Sequence, residues 1–309
     1  MPKILVTAKT TPDIDGTACL LAYAHLLKIQ GQDAEGIAFG NIQPETMYFM
    51  EKHGVVLRSE PDGGISRWDS YVLVDASSMK GMPKVVSADK VIEIIDHREG
   101  RPEIEFPNAK VQNELVGAAA TIVVEQYIQA NQKPLLEHAK LLYGAIHHNS
   151  LNFLSSNTSP RDKDAVEFLE KEFGLSKQII EEMFLYATDW IGQHVEQALR
   201  DDAKEYDLGF PVQVYQLVVY GRTILNKKQE IRLAIAELSK QAKVDWSFLN
   251  LVDLESKTSS LYCDSAKGQE ILGRALGCVF SENWANLDKT VLRKQIMPAL
   301  QRAVNLNRT

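Results

Sequence analysis

Val91-Ile92-Glu93-Ile94-Ile95-Asp96-His97-Arg98 is the stretch on which the fold turns. Its first five residues are an almost continuous apolar run of strand length, and it stops on an acid. Working outward, Tyr71-Val72-Leu73-Val74 stops in the same way at Asp75, and residues 3–8 lead into Thr11-Pro12-Asp13-Ile14-Asp15. Strands that are apolar on both faces belong in parallel sheets covered by helices. The segments between them supply those helices. Residues 16–30 place Ala18, Leu21, Ala22 and Leu26 at helical spacing and end at Gly31, suited to a left-handed stop. Residues 33–40 read as a second strand and 44–53 as a second helix. Further helices are expected over 117–129, 134–148, 161–172 and 176–188.

The chain has 309 residues, about twice a common domain length, which favours two domains. The pattern loses its sharpness after Thr188, so the expected division is a first domain over 1–188, a linker over 189–195 and a second domain over 196–309. In the second, 212–220 and 246–253 read as strands, and 227–243 and 269–277 as helices. The expected fold class is therefore α/β: a mostly parallel sheet first, then a smaller α/β domain with a mixed sheet.

The net charge is −7. From Asp189 onward 16 Lys and Arg face 15 Asp and Glu, net +1, which leaves −8 for residues 1–188. An acidic first part without a basic tract argues against long nucleic acid as a partner. No apolar run approaches the roughly 20 residues that span a bilayer, so no membrane partner is expected. Cys19, Cys263 and Cys278 are an odd set without a CxxC pair, which points to a reducing, cytoplasmic setting.

Ligand sites of parallel α/β sheets lie at the carboxyl ends of strands. Asp13, Asp15, Asp75 and Asp96 converging there would repel one another without a cation. With His97 beside them, a divalent metal bound by oxygen and imidazole is the natural counter-charge. Any single strand-end Asp is as readily a helix or turn cap; the acids together point to a metal.

These residues carry a resemblance. The chain resembles the DHH phosphoesterase superfamily over its whole length, and within it the manganese-dependent (family II) inorganic pyrophosphatases. The family's first motif, H-x-N-P-D-x-D, stands here as Lys9-Thr10-Thr11-Pro12-Asp13-Ile14-Asp15. Its second is Asp75, and its third, DHH, is Asp96-His97-Arg98, a DHR variant similar to the prune-type exopolyphosphatase branch. Its Gly-rich helix start matches residues 116–121, and its fourth motif matches Asn149-Ser150-Leu151-Asn152-Phe153. The resemblance implies a divalent ion, manganese first with cobalt or magnesium as substitutes, and pyrophosphate or another small phosphate compound as substrate. It further implies a site in the cleft between two domains and a homodimer formed through an edge of the first. Lys204, Arg293 and Lys294 match its phosphate-holding cations.

Three departures reshape the expectation. Lys9, Arg98 and Asn149 replace a His, a His and an Asp of the family. The resemblance implies one metal on residue 9, Asp13 and Asp75, and another on Asp15, Asp75, His97 and residue 149. Here the first loses a neutral ligand to an ammonium, and the second retains at most an amide oxygen from Asn149. Asp13, Asp15 and Asp75 balance one divalent ion plus Lys9. One ion is therefore expected, on Asp15, Asp75 and His97, with Lys9 in the space of the other and Asp13 orienting Lys9 or water. Arg98 would hold phosphate, but it cannot act as an acid because its pKa exceeds about 12. His147 and His148 are expected to pack without metal. Competing readings are a family member that binds phosphate compounds without turnover, and a phosphodiesterase of short oligonucleotides or nucleotides. The Gly-rich segment usual in the latter's second domain is missing: Gly268 and Gly273 stand alone.

Overall fold

The computed structural model describes residues 2–62 and 68–305. The chain divides into two compact units, Met1–Met183 and Phe184–Thr309.

The first unit runs β1 (Lys3–Thr7), α1 (Ile14–Ile29), β2 (Asp33–Gly36), β3 (Ala38–Phe39), α2 (Pro44–His53), β4 (Ser59–Glu60), β5 (Ser70–Val74), β6 (Val91–Asp96), β7 (Lys110–Asn113), α3 (Ala119–Gln129), α4 (Leu136–Asn149), α5 (Pro160–Phe173) and α6 (Lys177–Gln193). Its main sheet has the order β2-β1-β5-β6-β7, and every pairing is parallel. The apolar runs are buried as expected: Leu5, Val6, Leu73, Val74, Ile94 and Ile95 have essentially no exposure. The strand expected over 33–40 is two. It breaks at Ile37, whose N–H still reaches Val6 O, and β3 leaves to pair with β4.

α1 starts at Ile14 because the Asp13 side chain accepts the N–H of Gly16 at 3.0 Å, a helix N-cap. Gly16 is required by packing. A Cβ there would stand 2.9 Å from Ala8 Cβ, so only glycine lets the helix start lie against the end of β1. The stretch 189–195 differs from its reading as a linker. Trp190 and Ile191 continue the helical pattern, and α6 runs unbroken to Gln193.

The second unit continues with α7 (Val195–Asp202), β8 (Lys204–Asp207), β9 (Pro211–Val219), α8 (Lys228–Ala242), β10 (Trp246–Asp253), β11 (Thr258–Tyr262), α9 (Ala266–Leu276), β12 (Trp284–Leu287) and α10 (Arg293–Asn305). Its sheet, β12-β11-β10-β9-β8, is mixed: β9 and β10 are parallel, and the other pairs are antiparallel. One apolar core lies on each face, one built around Trp246, Phe248 and Leu300, the other around Tyr215, Ile231 and Leu249. Among the described residues, no helix is long and apolar enough to cross a membrane.

Candidate metal centre

Three strand ends of the first unit deliver the acids. Asp15 follows β1 in the first turn of α1, Asp75 follows β5, and Asp96 closes β6 with His97 and Arg98 after it. Asp75 has φ of 50°, a left-handed conformation uncommon for a side chain other than glycine, while its N–H still bonds Ile95 O at 2.8 Å. Backbone held this way at a strand end is a local cost of the kind found at functional sites.

Asp15, Asp75 and His97 each offer one ligand atom, all within 4.8 Å of one another. His97 Nδ1 lies 3.0 Å from Val116 O, a bond that needs the proton on Nδ1 and aims Nε2 at the acids. Nε2 stands 3.4 Å from Asp75 Oδ1 and 3.7 Å from Asp15 Oδ2. Neither Nε2 nor Asp75 Oδ1 completes a hydrogen bond, although both are buried. The gap between them suits a cation, filled in the ion-free protein by a proton on Nε2 and open to a metal ion once that proton leaves. With oxygen and imidazole donors, the set fits a divalent ion such as manganese.

Asp15 is held from the other side. Its carboxylate accepts the N–H groups of Ala119 and Ala120 at the start of α3, both at 2.8 Å. That segment is anchored by fully buried Asp162, which accepts from Gly117 N, Thr121 Oγ1, Ser159 N and Ser159 Oγ. A Cβ on Gly117 would stand 2.9 Å from Asp162 Oδ2, so the close approach requires glycine. Cys19, four residues after Asp15 on the same helix face, points its thiol at Asp15 Oδ1, 3.6 Å away.

Burial, and then the Asp75 charge, push the Asp15 carboxyl up to about 7. Burial alone would lower His97, but Asp75 and Asp15 outweigh it and raise the imidazole to about 9. Burial would raise Asp75, but His97 and Arg98 hold it below the usual carboxylate range. Asp13 is raised by burial and by Asp75.

The three substituted positions resolve differently from their sequence reading. Asn149 is not an oxygen ligand here. Its Nδ2 donates to Asp15 Oδ2 at 2.6 Å, and a carboxylate accepts only from the amide N–H, which turns the carbonyl oxygen away. Lys9 makes no hydrogen bond or ion pair among the described residues, so the expectation of its ammonium among the carboxylates is not met; its stem lies 3.9 Å from where a Gly81 Cβ would stand. The cation beside the acids is Arg98, with Nη1 2.6 Å from Asp75 Oδ1 and 3.0 Å from Asp96 Oδ1. His147 is core, packed against Tyr143 and Phe153, and burial lowers it to about 4. His148 pairs with Glu45 at 3.3 Å, and that carboxylate, against burial, raises it to about 9.

In the second unit, Arg293 is not left for phosphate. Its Nη1 and Nη2 clamp Asp202 at 2.7 and 3.0 Å, and its own N–H bonds Gln216 Oε1 at 2.6 Å. Lys204 starts β8 and acts on Asp202 electrostatically, and Lys294 follows Arg293 at the start of α10. Sequence reading matched the helix start over 116–121 and the segment from Ser156 to Asp162 to the family, but gave no role to the Ala119 and Ala120 amides or to Asp162, and it read Cys19 as a core residue.

Comparison with known proteins places both units in known families. The model of the DHH family N-terminal domain matches residues 3–146, and that of the DHHA2 domain matches 181–303. A Bacillus licheniformis protein named as a probable manganese-dependent inorganic pyrophosphatase is 28% identical over 98% of this chain and 99% of its own. A Deinococcus radiodurans protein of the same name is 26% identical over 97% and 98%. Among solved structures, a Methanococcus jannaschii protein described as a family II inorganic pyrophosphatase superposes with a TM-score of 0.70 at 24% identity, covering 98% of this chain and 99% of the other. A Bacteroides fragilis exopolyphosphatase-related protein gives 0.52 at 14% identity, covering 99% and 92%, and both likenesses concern the fold. With matching domains in the same order and full-length relatives, the chain belongs to the DHH superfamily and is similar to its manganese-dependent inorganic pyrophosphatases.

Proposed function

We propose that this protein is a metal-dependent hydrolase of phosphoanhydrides, pyrophosphate first, working with one divalent ion. The observation that carries this reading is the buried facing pair, His97 Nε2 and Asp75 Oδ1, with Asp15 completing a three-donor cluster. Asp15, Asp75 and His97 would hold the ion, and manganese is the metal in the relatives' names. When bound, such an ion supplies positive charge toward phosphate oxygens and acidifies water. The protein's own residues do the rest. Val116 O fixes the His97 tautomer, and the α3 amides fix Asp15. Among the described residues Arg98 spends only Nη1 on protein groups, so its other nitrogens are left for phosphate oxygens. Lys9, unpaired among the described residues, offers a second cation. In the second unit, Lys204, whose charge reaches Asp202, and Lys294, next to Arg293 in the chain, are the further candidate phosphate cations.

Binding without turnover is the second reading, and one contact favours it: Asn149 sets a hydrogen-bond donor on Asp15, where another carboxylate would have drawn a metal. Phosphate release from pyrophosphate, short polyphosphate and nucleotides, with manganese, cobalt or magnesium, separates the two. Release that Asp75→Ala abolishes supports the hydrolase. Tight pyrophosphate binding without release on any substrate supports the binder.

A further inference from the structure

We propose that Arg98 is a resident cation that limits this centre to one divalent ion. The inference rests on the reading that the centre binds a metal. Asp13, Asp15, Asp75 and Asp96 crowd the ends of three neighbouring strands, and Asp15 and Asp96 have no exposure. Charge of that density needs more than one positive partner.

Arg98 supplies one of them. Nη1 carries two hydrogens, and both are spent, on Asp75 O at 2.7 Å and on Asp96 Oδ1 at 3.0 Å. The same nitrogen stands 2.6 Å from Asp75 Oδ1. That oxygen therefore gains the guanidinium's charge but none of its hydrogens, which is why it still lacks a hydrogen-bond partner. The field also reaches Asp13, whose carboxyl Arg98 draws downward.

The geometry gives Asp75 two sides. Toward His97 and Asp15, Oδ1 meets donors that suit a metal. Toward Asp96, the space next to its carboxylate and carbonyl is filled by a planar cation that does not lose its proton at any ordinary pH. A divalent ion entering there would have to displace Arg98 from three oxygens and tolerate its charge at contact distance. Lys9 does not compete for this place, since it pairs with no carboxylate among the described residues.

The test is metal stoichiometry. Full-length protein is equilibrated with manganese, separated from free ion and measured by plasma mass spectrometry, with electron paramagnetic resonance of the bound manganese as a second readout. Wild type should hold one ion per chain with an isolated mononuclear signal. Arg98→Lys, which keeps the charge, should also hold one. Arg98→Gln and Arg98→His should take up a second ion and show the broadened signal of a coupled pair; circular dichroism verifies that each variant is folded. Two ions in wild type overturn the inference, as does a single ion of unchanged affinity in folded Arg98→Gln and Arg98→His. No ion in wild type overturns both this inference and the metal reading beneath it. One ion without phosphate release from any substrate sinks the hydrolase and leaves the role of Arg98 standing.

Discussion

The centre of the first unit and the Arg293–Asp202 clamp of the second use the same ingredients, an arginine against carboxylate turned from much of the solvent, for opposite ends. At the clamp both carboxylate oxygens are matched: Arg293 grips both oxygens of Asp202 and its carbonyl, and Asp202 also takes the Gln216 N–H. At the centre the matching is incomplete. Arg98 approaches Asp75 Oδ1 with charge alone, and His97 Nε2 faces it without closing a bond. A saturated ion pair holds a structure together, whereas an unsatisfied one leaves room for a ligand.

Removing a partner from each should therefore do different damage. Asp75→Ala should weaken manganese binding by more than about 100-fold, since changes one layer further out already cost about 10–100-fold in comparable sites, and should abolish phosphate release. Isothermal titration would show it; retained binding would break the contrast. Arg293→Ala should leave metal binding intact and destabilise the second unit by roughly 2–3 kcal/mol, a buried-pair value discounted for the partial exposure of Asp202, as read from urea unfolding.

Acidity sharpens the same contrast. Asp15 is raised from 3.8 to about 7 and His97 from 6.5 to about 9. Between those limits the folded, ion-free protein binds more protons than the unfolded chain. The contribution of these two groups to stability is thus highest on the acid side and is lost as the pH climbs through 7 and then 9. Manganese must displace those protons, so its affinity should rise over the same range, by roughly tenfold per pH unit for each proton released. Affinity independent of pH would show that these two groups are not the ligands. Asn149→Asp removes a donor from Asp15 and adds a carboxylate, and should tighten manganese by about tenfold. The smallest effect belongs to Cys19→Ala, which removes one weak S–H donor and should change affinity about two- to threefold.

The strands and helices around the first site were legible because their signals are local. The run from Val91 to Ile95 reads as a strand, buried at Val91, Ile94 and Ile95 with Ile92 left exposed, and the acid that ends it lies at the sheet's rim. The second unit was read less fully. β8 and β12 are four-residue edge strands with exposed polar positions, and α10 opens on charged residues and carries Pro298. Ligand assignments failed where a distant partner decides them. Arg293 looks like a phosphate cation until Asp202, 91 residues earlier, is seen to hold it. Lys9 was read as the counter-charge and Arg98 as a phosphate-holding cation, and only the path of the chain after β6 puts the guanidinium on Asp75. Asn149 kept the shape of a ligand but exchanged an acceptor for a donor, a change whose direction appears only once Asp15 is opposite it.

The buttress behind Asp15 governs how the protein can be handled. Asp162 fixes Gly117 and Thr121, and the next amides fix Asp15, with Asn149 and Cys19 beside them, so this ligand is set in place by the protein's own groups. An ion seated against such a support is replaceable cargo. Chelation should empty the protein without melting the first unit, and reloading with a different divalent metal should need no refolding, so that one preparation can be carried through a whole series of metals.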